Sequence, residues 1–390
     1  MQRKWAGRYL GALLAVAATL VSLRADDDPA ASIARIENAQ TPNHQGLDGF
    51  TIAELMQRFH VPGLGIAVVR DFKIHWVKAY GIADVESGRA VETNTLFQAA
   101  SISKPVTAMV AMKLVEERRF ALDDDINTIL KSWQAPVNGV TPRSLMSHAS
   151  GADDGFGFPG YDPSAPRPTV VQVIEGKPPS ILGPVLFARP PFQAYKYSGG
   201  GVTIMQLALM DLTGKPFSEM MRSMVLDPLN MKDSSYEQPL PAERASHTAR
   251  AHNGQGKSMG VSWHVYPEQA AAGLWTTPGD LARFIIEVQN AVRGPKGAVL
   301  TQAAASAMVS PVGVGPFGVG LTVEKRGEGW YFSHGGSNWG FRGDILGHIR
   351  KGYGVAMLTN GDNGTALINE IETRVAAAYH WDSLDKPLLR

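Results

Sequence analysis

Cysteine is absent from all 390 residues. That removes disulfides, thiolate nucleophiles and cysteine-based zinc sites from the chemistry open to this chain. An excess of either charge is also missing: 37 basic residues face 36 acidic ones, for a formal net charge of +1. The charges are not clustered, so the basic footprint of a nucleic-acid-binding surface is lacking and nucleic acid is excluded as a partner. Long apolar runs are missing after the first 25 residues. No later segment reaches the roughly 18 consecutive apolar residues of a membrane-spanning helix. Internal repeats and low-complexity tracts are lacking too.

What is present begins with "MQRKWAGRYLGALLAVAATLVSLRADDDPA". Arg3, Lys4 and Arg8 precede a short apolar run from Leu10 to Leu23 that ends in small and polar residues, the form of a signal peptide over residues 1–25. An uncleaved anchor is the alternative. Cleavage would remove Arg3, Lys4, Arg8 and Arg24 with no acid, moving the net charge from +1 to −3. The expected product, residues 26–390, is exported, periplasmic or secreted, has no stable membrane insertion after processing, and is long enough for a full core.

Both ends of that product read as β structure. "TIAELMQRFH" predicts a short helix, and "GLGIAVVRD" and "KIHWVKAYGIADV" predict a hairpin around "DFK". Near the other end "FGVGLTVEKRG", "GWYFSHGGSNWGFRGDILGH" and "YGVAMLTNGDNG" predict strands. A closing helix follows, with Leu367, Ile371, Val375 and Ala378 on one face. The middle is mostly helical, as in "TIMQLALMDLTG" and "PFSEMMRSMVLDPLNM". Strands do not stay unpaired at the edges of two half-sheets, so the economical architecture is α+β: one antiparallel sheet built from both ends, flanked by helices. A helical subdomain at about 106–300 would sit between the sheet-forming ends. Residues 159–191 hold nine of the 25 prolines, yet apolar residues interrupt them too often for a solvated linker. They predict a semi-rigid loop packed along the body and lining a cleft.

The candidate chemistry starts in "FQAASISKPVTAMVAMKLVEE". Ile102, Val106, Met109, Val110 and Leu114 fall on one face of a helix, and Pro105 is tolerated only in its first turn. Ser101 stands at the capping position with Lys104 one turn on, so the amine can reach the hydroxyl. A plain cap followed by a solvated lysine is the competing interpretation. Two further segments supply partners: "FQAYKYSGGG" offers Tyr197 before a glycine run, and "YFSHGGSNWGF" offers His334 beside Gly335 and Gly336 in a strand.

Together these segments resemble the penicillin-recognising serine hydrolases, the group of class C β-lactamases, DD-peptidases, D-aminopeptidases and family VIII carboxylesterases. Ser101-Ile102-Ser103-Lys104 resembles the first motif, Tyr197-Ser198-Gly199 the second and His334-Gly335-Gly336 the third. "SLMSHASG" and "AAGLWTTPGDLARF" resemble further landmarks, and the likeness covers residues 45–380. It implies the β-lactamase/transpeptidase-like fold, a Ser101 nucleophile, proton handling by Lys104 and Tyr197, an oxyanion hole from the backbone N–H groups of Ser101 and Ser337, and substrate contacts at His334, Gly335 and Gly336. No cofactor and no metal are implied. Two departures bear on substrate. Gly199 stands where the second motif usually ends in Asn, and His334 stands where many β-lactamases have lysine. At an ordinary imidazole pKa, attraction of His334 for a substrate carboxylate would fade as pH rises toward about 8.

The expected activity is therefore serine hydrolysis of a small-molecule ester or amide, with a carboxylesterase on small esters first. A β-lactamase or D-amino-acid peptidase is second, and a catalytically silent binder of peptidoglycan fragments or a partner protein belongs to another class. Four other patterns are set aside. Gly256-Lys257-Ser258-Met259-Gly260 matches a nucleophile elbow but lacks a buried strand before it. Gly313 to Gly318 matches a dinucleotide fingerprint but runs into a strand, not a helix. His247 and His252 have no third ligand in context. Ser383 and Lys386 repeat the Ser-x-x-Lys spacing only at the chain end.

Overall fold

The computed structural model describes residues 28–40, 46–153, 158–294, 297–327 and 329–381. The expected signal segment and the Ser383/Lys386 pair lie outside the described residues. Eleven strands follow in chain order: β1 Gly63–Arg70, β2 Lys73–Asp84, β3 Arg89–Ala90, β4 Phe97–Gln98, β5 Ala152–Asp153, β6 Leu186–Phe187, β7 Trp275–Thr276, β8 Thr322–Arg326, β9 Gly329–Asn338, β10 Phe341–His348 and β11 Gly354–Thr359. Seven of them form one sheet in the order β3-β2-β1-β11-β10-β9-β8. The two chain ends meet where β1 pairs antiparallel with β11, Leu64 opposite Thr359 and Val68 opposite Val355. The expected α+β architecture is the observed one.

Local sequence sets these strands. β1 turns into β2 through Asp71 and Phe72, both at positive φ (50° and 61°), the geometry whose twist suits a two-residue hairpin. Alternate residues of β1 then serve two cores. Leu64, Ile66 and Val68 pack with Leu367, Ile371 and Val375 of the closing helix Gly364–Ala378, while Ala67 and Val69 face the opposite core with Ile285. Both faces of the sheet are therefore covered, and β1 is buried along almost its whole length. At about 25 cal/mol per Å² of apolar surface, burial on two faces is the dominant stabilising term. Buried Arg374 of the closing helix bonds Glu370 at 2.9 Å and donates to the carbonyls of Ile36, Asn38, Leu47 and Phe50. This guanidinium ties the N-terminal helix Pro29–Glu37 to the sheet layer.

Three local expectations change. The helix after Ser101 spans Ser103–Glu116 and is buried nearly all round, with Ser103, Thr107 and Ala108 inside as well as Val106 and Met109. Its small and polar residues pack against neighbours, so it is a central helix and not one with a single buried face. Its N-cap is Ile102, with no side-chain cap, so Ser101 does not serve as the cap. The proline-rich segment is not bare loop either: it contains the helix Val170–Glu175 and strand β6.

Candidate active site

The turn carrying Ser101 is built from successive short-range hydrogen bonds. Ile102 N–H donates to Ala99 O, Ser103 N–H to Ala100 O and Lys104 N–H to Ser101 O, at 2.9 to 3.1 Å. Ala100, immediately before the serine, has φ of 51°, a costly left-handed setting for alanine that the surroundings must impose. Those surroundings are the segment 271–276. β4 pairs with β7, Ala99 N–H donates to Leu274 O, and Leu274 N–H donates to Ser103 Oγ at 2.9 Å. The end of β9 joins them, because Asn338 Nδ2 donates to Gln98 Oε1 and to Ala272 O at 2.9 and 3.0 Å.

Inside this frame Lys104 is buried, and its Nζ lies 2.9 Å from Ser101 Oγ and 2.8 Å from Ala271 O. The same Nζ stands 5.1 Å from the centroid of the Tyr197 ring. Tyr197 precedes the helix Gly199–Thr213, whose N-cap Ser198 accepts from Gly201 N–H at 2.8 Å. The structure thus brings Ser101, Lys104 and Tyr197 together from two helix starts.

The third motif lies along β9. β8 pairs with residues 329–333, so among the described residues His334 to Asn338 have strand β10 on one side and no strand on the other. Arg342 O accepts from Thr359 Oγ1 at 3.2 Å, which turns the Arg342 carbonyl toward β11. Its cross-strand partner is Ser337. In an antiparallel ladder that makes the pair a non-hydrogen-bonded one, and the Ser337 N–H points to the open edge facing the cleft. Gly336 lies tight against the Ser101 turn, where an added Cβ would sit 2.3 Å from Ala99 O. Gly335 faces the other way, across from Asp344, whose Oδ1 would lie 3.4 Å from an added Cβ.

His334 is buried, its Nδ1–H donates to Gly335 O at 2.7 Å, and its Nε2 has no partner among the described residues. Burial, and then the charge of Lys104, push its pKa down to about 3. The imidazole is neutral across the working range of pH, which overturns the expectation that it offers a titrating positive charge. Asp344 lies on the opposite face of the sheet, and burial with the charge of Glu372 holds its carboxyl well above the usual range. Neither Lys nor Arg is among the described residues lining the cleft of about 900 Å³ around Ser101.

Four aromatic or imidazole residues at the site carried no functional reading in the sequence. Buried His148 has φ of 59°, its Nδ1 accepts from Ser198 N–H at 3.2 Å and its carbonyl from Lys196 N–H at 2.9 Å, so it clamps both sides of Tyr197. Its ring lies 4.2 Å from the Tyr197 ring and 4.6 Å from Phe317. Burial and Lys104 hold His148 well below an ordinary imidazole pKa. Phe158, Tyr195 and Phe317 line the cleft together with Leu182. The proline-rich segment does line the cleft, and "GVGPFG" supplies Phe317 as well as an approach to β8. The set-aside patterns stay apart. Ser258 bridges His252 in a loop, and His252 spends Nδ1 on Asn360 O at 2.9 Å and Nε2 on Val85 N–H.

The Beta-lactamase family matches residues 51–379. The chain belongs to that family. Among curated relatives, Protein flp of Staphylococcus aureus (strain N315) is 24% identical over 335 residues, covering 82% of this chain and 64% of that protein. Teichoic acid D-alanine hydrolase of Staphylococcus aureus is 22% identical over 256 residues, covering 65% of this chain and 60% of that protein. The chain thus spans less than two thirds of the length of these relatives. Among solved structures, the octameric penicillin-binding protein homologue from Pyrococcus abyssi superposes with a TM-score of 0.69 at 22% identity, over 86% of this chain and 77% of that one. This likeness shows the β-lactamase/transpeptidase-like fold. Members of the family are serine hydrolases, and no helix among the described residues is long and apolar enough to cross a membrane.

Proposed function

We propose that the chain is a serine hydrolase acylated at Ser101 and most active as a carboxylesterase on small esters. The observation that carries the proposal is the buried Lys104 Nζ at 2.9 Å from Ser101 Oγ. A serine hydroxyl needs a base to become a nucleophile, and an amine held beside it can be that base once neutral. Lys104 and Tyr197 form a coupled proton-handling pair, so the proton belongs to the pair and not to one residue. Ser101 Oγ loses its proton to the pair and bonds to the ester carbonyl carbon. The carbonyl oxygen becomes an oxyanion before the N–H groups of Ser101 and Ser337. The C–O bond to the leaving group then breaks, and the pair returns the proton to the departing oxygen. Water attacks the acyl-Ser101 ester by the same route and releases the acid.

The preference for esters follows from what the cleft lacks. With His334 neutral and no Lys or Arg among the described lining residues, a substrate carboxylate finds no fixed countercharge besides the buried Lys104 behind Ser101. Gly199 has no side chain to hold an acyl-side amide. A second reading, hydrolysis of D-alanyl esters or D-amino-acid peptides, draws support from the name of the teichoic acid D-alanine hydrolase relative. We assign residues 26–390 to one hydrolase domain with a helical subdomain at about 106–300, exported after loss of residues 1–25; N-terminal sequencing of protein from fractionated cells checks the cut. Labelling with a fluorophosphonate followed by peptide mapping tests the nucleophile. Ser101 is the expected adduct, and a label elsewhere overturns the assignment. Rates on 4-nitrophenyl acetate, a D-alanyl ester and a cephalosporin then rank the substrate readings, and a faster cephalosporin reverses the first choice.

A further inference from the structure

Gly199 is a glycine for a reason that its backbone does not supply. It opens a regular α-helix behind a Ser198 cap, and its φ lies outside the left-handed region where glycine is favoured. Any residue could adopt that conformation. What meets a side chain there is the Phe158 ring: a Cβ built on Gly199 would lie 2.6 Å from Phe158 Cε2 and 3.0 Å from Cζ, so the ring must shift to admit one. The ring is partly buried, packs on the main core and lines the cleft beside Ser101 and Tyr197.

The chain just after Phe158 is fastened, which limits how far the ring can give. The Pro159 carbonyl lies 2.8 Å from His264 Nδ1, and the His264 ring stacks on Trp339 at 4.0 Å between centroids. Tyr161 and Val265 exchange backbone hydrogen bonds of 2.8 Å in both directions. The apolar surface continues outward from the ring, since Leu182 and Tyr195 line the same cleft and Ile181 beside Leu182 is 60% exposed.

We propose that Phe158 sets the substrate class of this cleft: its ring takes the volume that a polar side chain at position 199 would need, and it offers an apolar surface in place of an amide grip. The site then selects esters whose acyl group is apolar and free of amide, over those bearing an amide next to the scissile carbonyl. An apolar surface holds an apolar group and leaves an amide's polar atoms unpaired, which is a penalty on that substrate. This rests on the acyl-enzyme reading above and names the acyl group for it.

The test compares kcat/KM for 4-nitrophenyl hexanoate and the 4-nitrophenyl ester of N-acetyl-D-alanine, with 4-nitrophenyl acetate as the common reference. Wild type is expected to favour the hexanoate by about tenfold or more. Phe158→Ala should cut that ratio about tenfold, chiefly through KM of the hexanoate. Phe158→Ala combined with Gly199→Asn should cut it further, whereas Gly199→Asn alone should lower the melting temperature without improving the amide-bearing ester. Phe158→Leu, which keeps an apolar side chain, serves where the alanine variant folds poorly and should give an intermediate ratio. An unchanged ratio in both Phe158 variants, with acetate still hydrolysed, overturns this proposal and leaves the esterase reading standing. Failure of wild type to hydrolyse any of the three esters overturns the esterase reading itself.

Discussion

Replacing Gly336 by alanine is expected to cripple hydrolysis, whereas the same change one residue earlier should be mild. The added Cβ at position 336 would stand 2.3 Å from Ala99 O and 3.2 Å from Ala100 Cβ, while ordinary contact begins at 3.4 Å. Ala99 O is backbone and accepts from Ile102 N–H at 3.1 Å, so it cannot swing aside as a flexible side chain would. β9 and the Ser101 turn must separate by about 1 Å to relieve the contact, and misplacement of that size at a reacting centre costs on the order of 10²-fold. The two backbone donors proposed for the oxyanion, Ser101 N–H and Ser337 N–H, lie on the two sides of this contact. Loss of one such donor costs about 10² to 10³-fold in kcat. The expected fall for Gly336→Ala is therefore about 10²-fold, or about 2.7 kcal/mol of transition-state stabilisation. At Gly335 the nearest atom to an added Cβ is Asp344 Oδ1 at 3.4 Å, on the opposite face of the sheet. Its alanine variant should stay within about fivefold of wild type. The assay is steady-state hydrolysis of 4-nitrophenyl acetate, with melting temperatures to confirm folding. The reasoning is refuted by a folded Gly336→Ala enzyme within about threefold of wild type, or by a larger loss at Gly335 than at Gly336.

Lys104→Met should lower kcat/KM by about 10³-fold or more, and Ser101→Ala at least as much, while Ser258→Ala stays within about threefold; ester hydrolysis by the purified variants decides. The ratio of kcat/KM for an anionic to a neutral nitrophenyl ester should be flat between about pH 5.5 and about pH 8.5, because His334 titrates near 3 and carries no charge there. A ratio that falls steadily as pH rises would show a protonated imidazole at the site. Glu268 is buried with neither carboxyl oxygen partnered among the described residues, and burial pushes its pKa up to about 7. A raised acid favours folding below its unfolded pKa and loses that contribution as pH rises through the folded value. Glu268→Gln should therefore gain on the order of 1 to 3 kcal/mol over wild type at about pH 8 and little at about pH 5, read by denaturant melts at both values.

The outline of the fold was legible because its strands carry local signals. β1 and β2 flank a short turn, and the β9 to β10 segment repeats the pattern around Trp339 and Gly340. Pairing of β1 with β11 followed from the need to cover sheet edges, not from any local feature. The apolar spacing predicts a helix with one buried face for Ser103–Glu116, because the large apolar residues alone carry that period. Its remaining residues are also inside: Ser103 Oγ donates to Ala100 O, its carbonyl accepts from Tyr236 Oη–H, and Thr107 Oγ1 donates to Ala270 O. Small polar residues in a central helix look like a solvent face until their partners are placed. Ser101, Lys104 and Tyr197, the residues proposed for the chemistry, stand in ordered motifs, and the structure places them side by side. Phe158 stands in none, since "GFGFPG" has no period and its meaning lies in a contact with position 199, 41 residues on. His148 stood within a recognisable landmark, but its clamp on Tyr197 depends on a left-handed backbone that no residue type announces. The low pKa of His334 comes first from burial, on which residue type alone carries no information.

The charge pattern of the cleft ties these observations together. Burial, and then the charge of Lys104, hold both His334 and His148 at low pKa and neutral. The coupling runs in both directions, because an imidazole that stays neutral also adds no repulsion against a proton on the Lys104–Tyr197 pair. A lysine in place of His334, as in many relatives by resemblance, would put a second positive charge near Lys104 and give a substrate carboxylate its partner. Here that partner is absent, and the neighbouring space is taken by Phe158, Tyr195 and Phe317. Under the proposed function, a carboxylate entering this cleft would give up hydration with no countercharge from position 334, a cost that a neutral ester avoids. Under the same proposal, the neutral imidazoles and the aromatic wall act in one direction, toward substrates that carry neither a charge nor an amide near the bond that breaks.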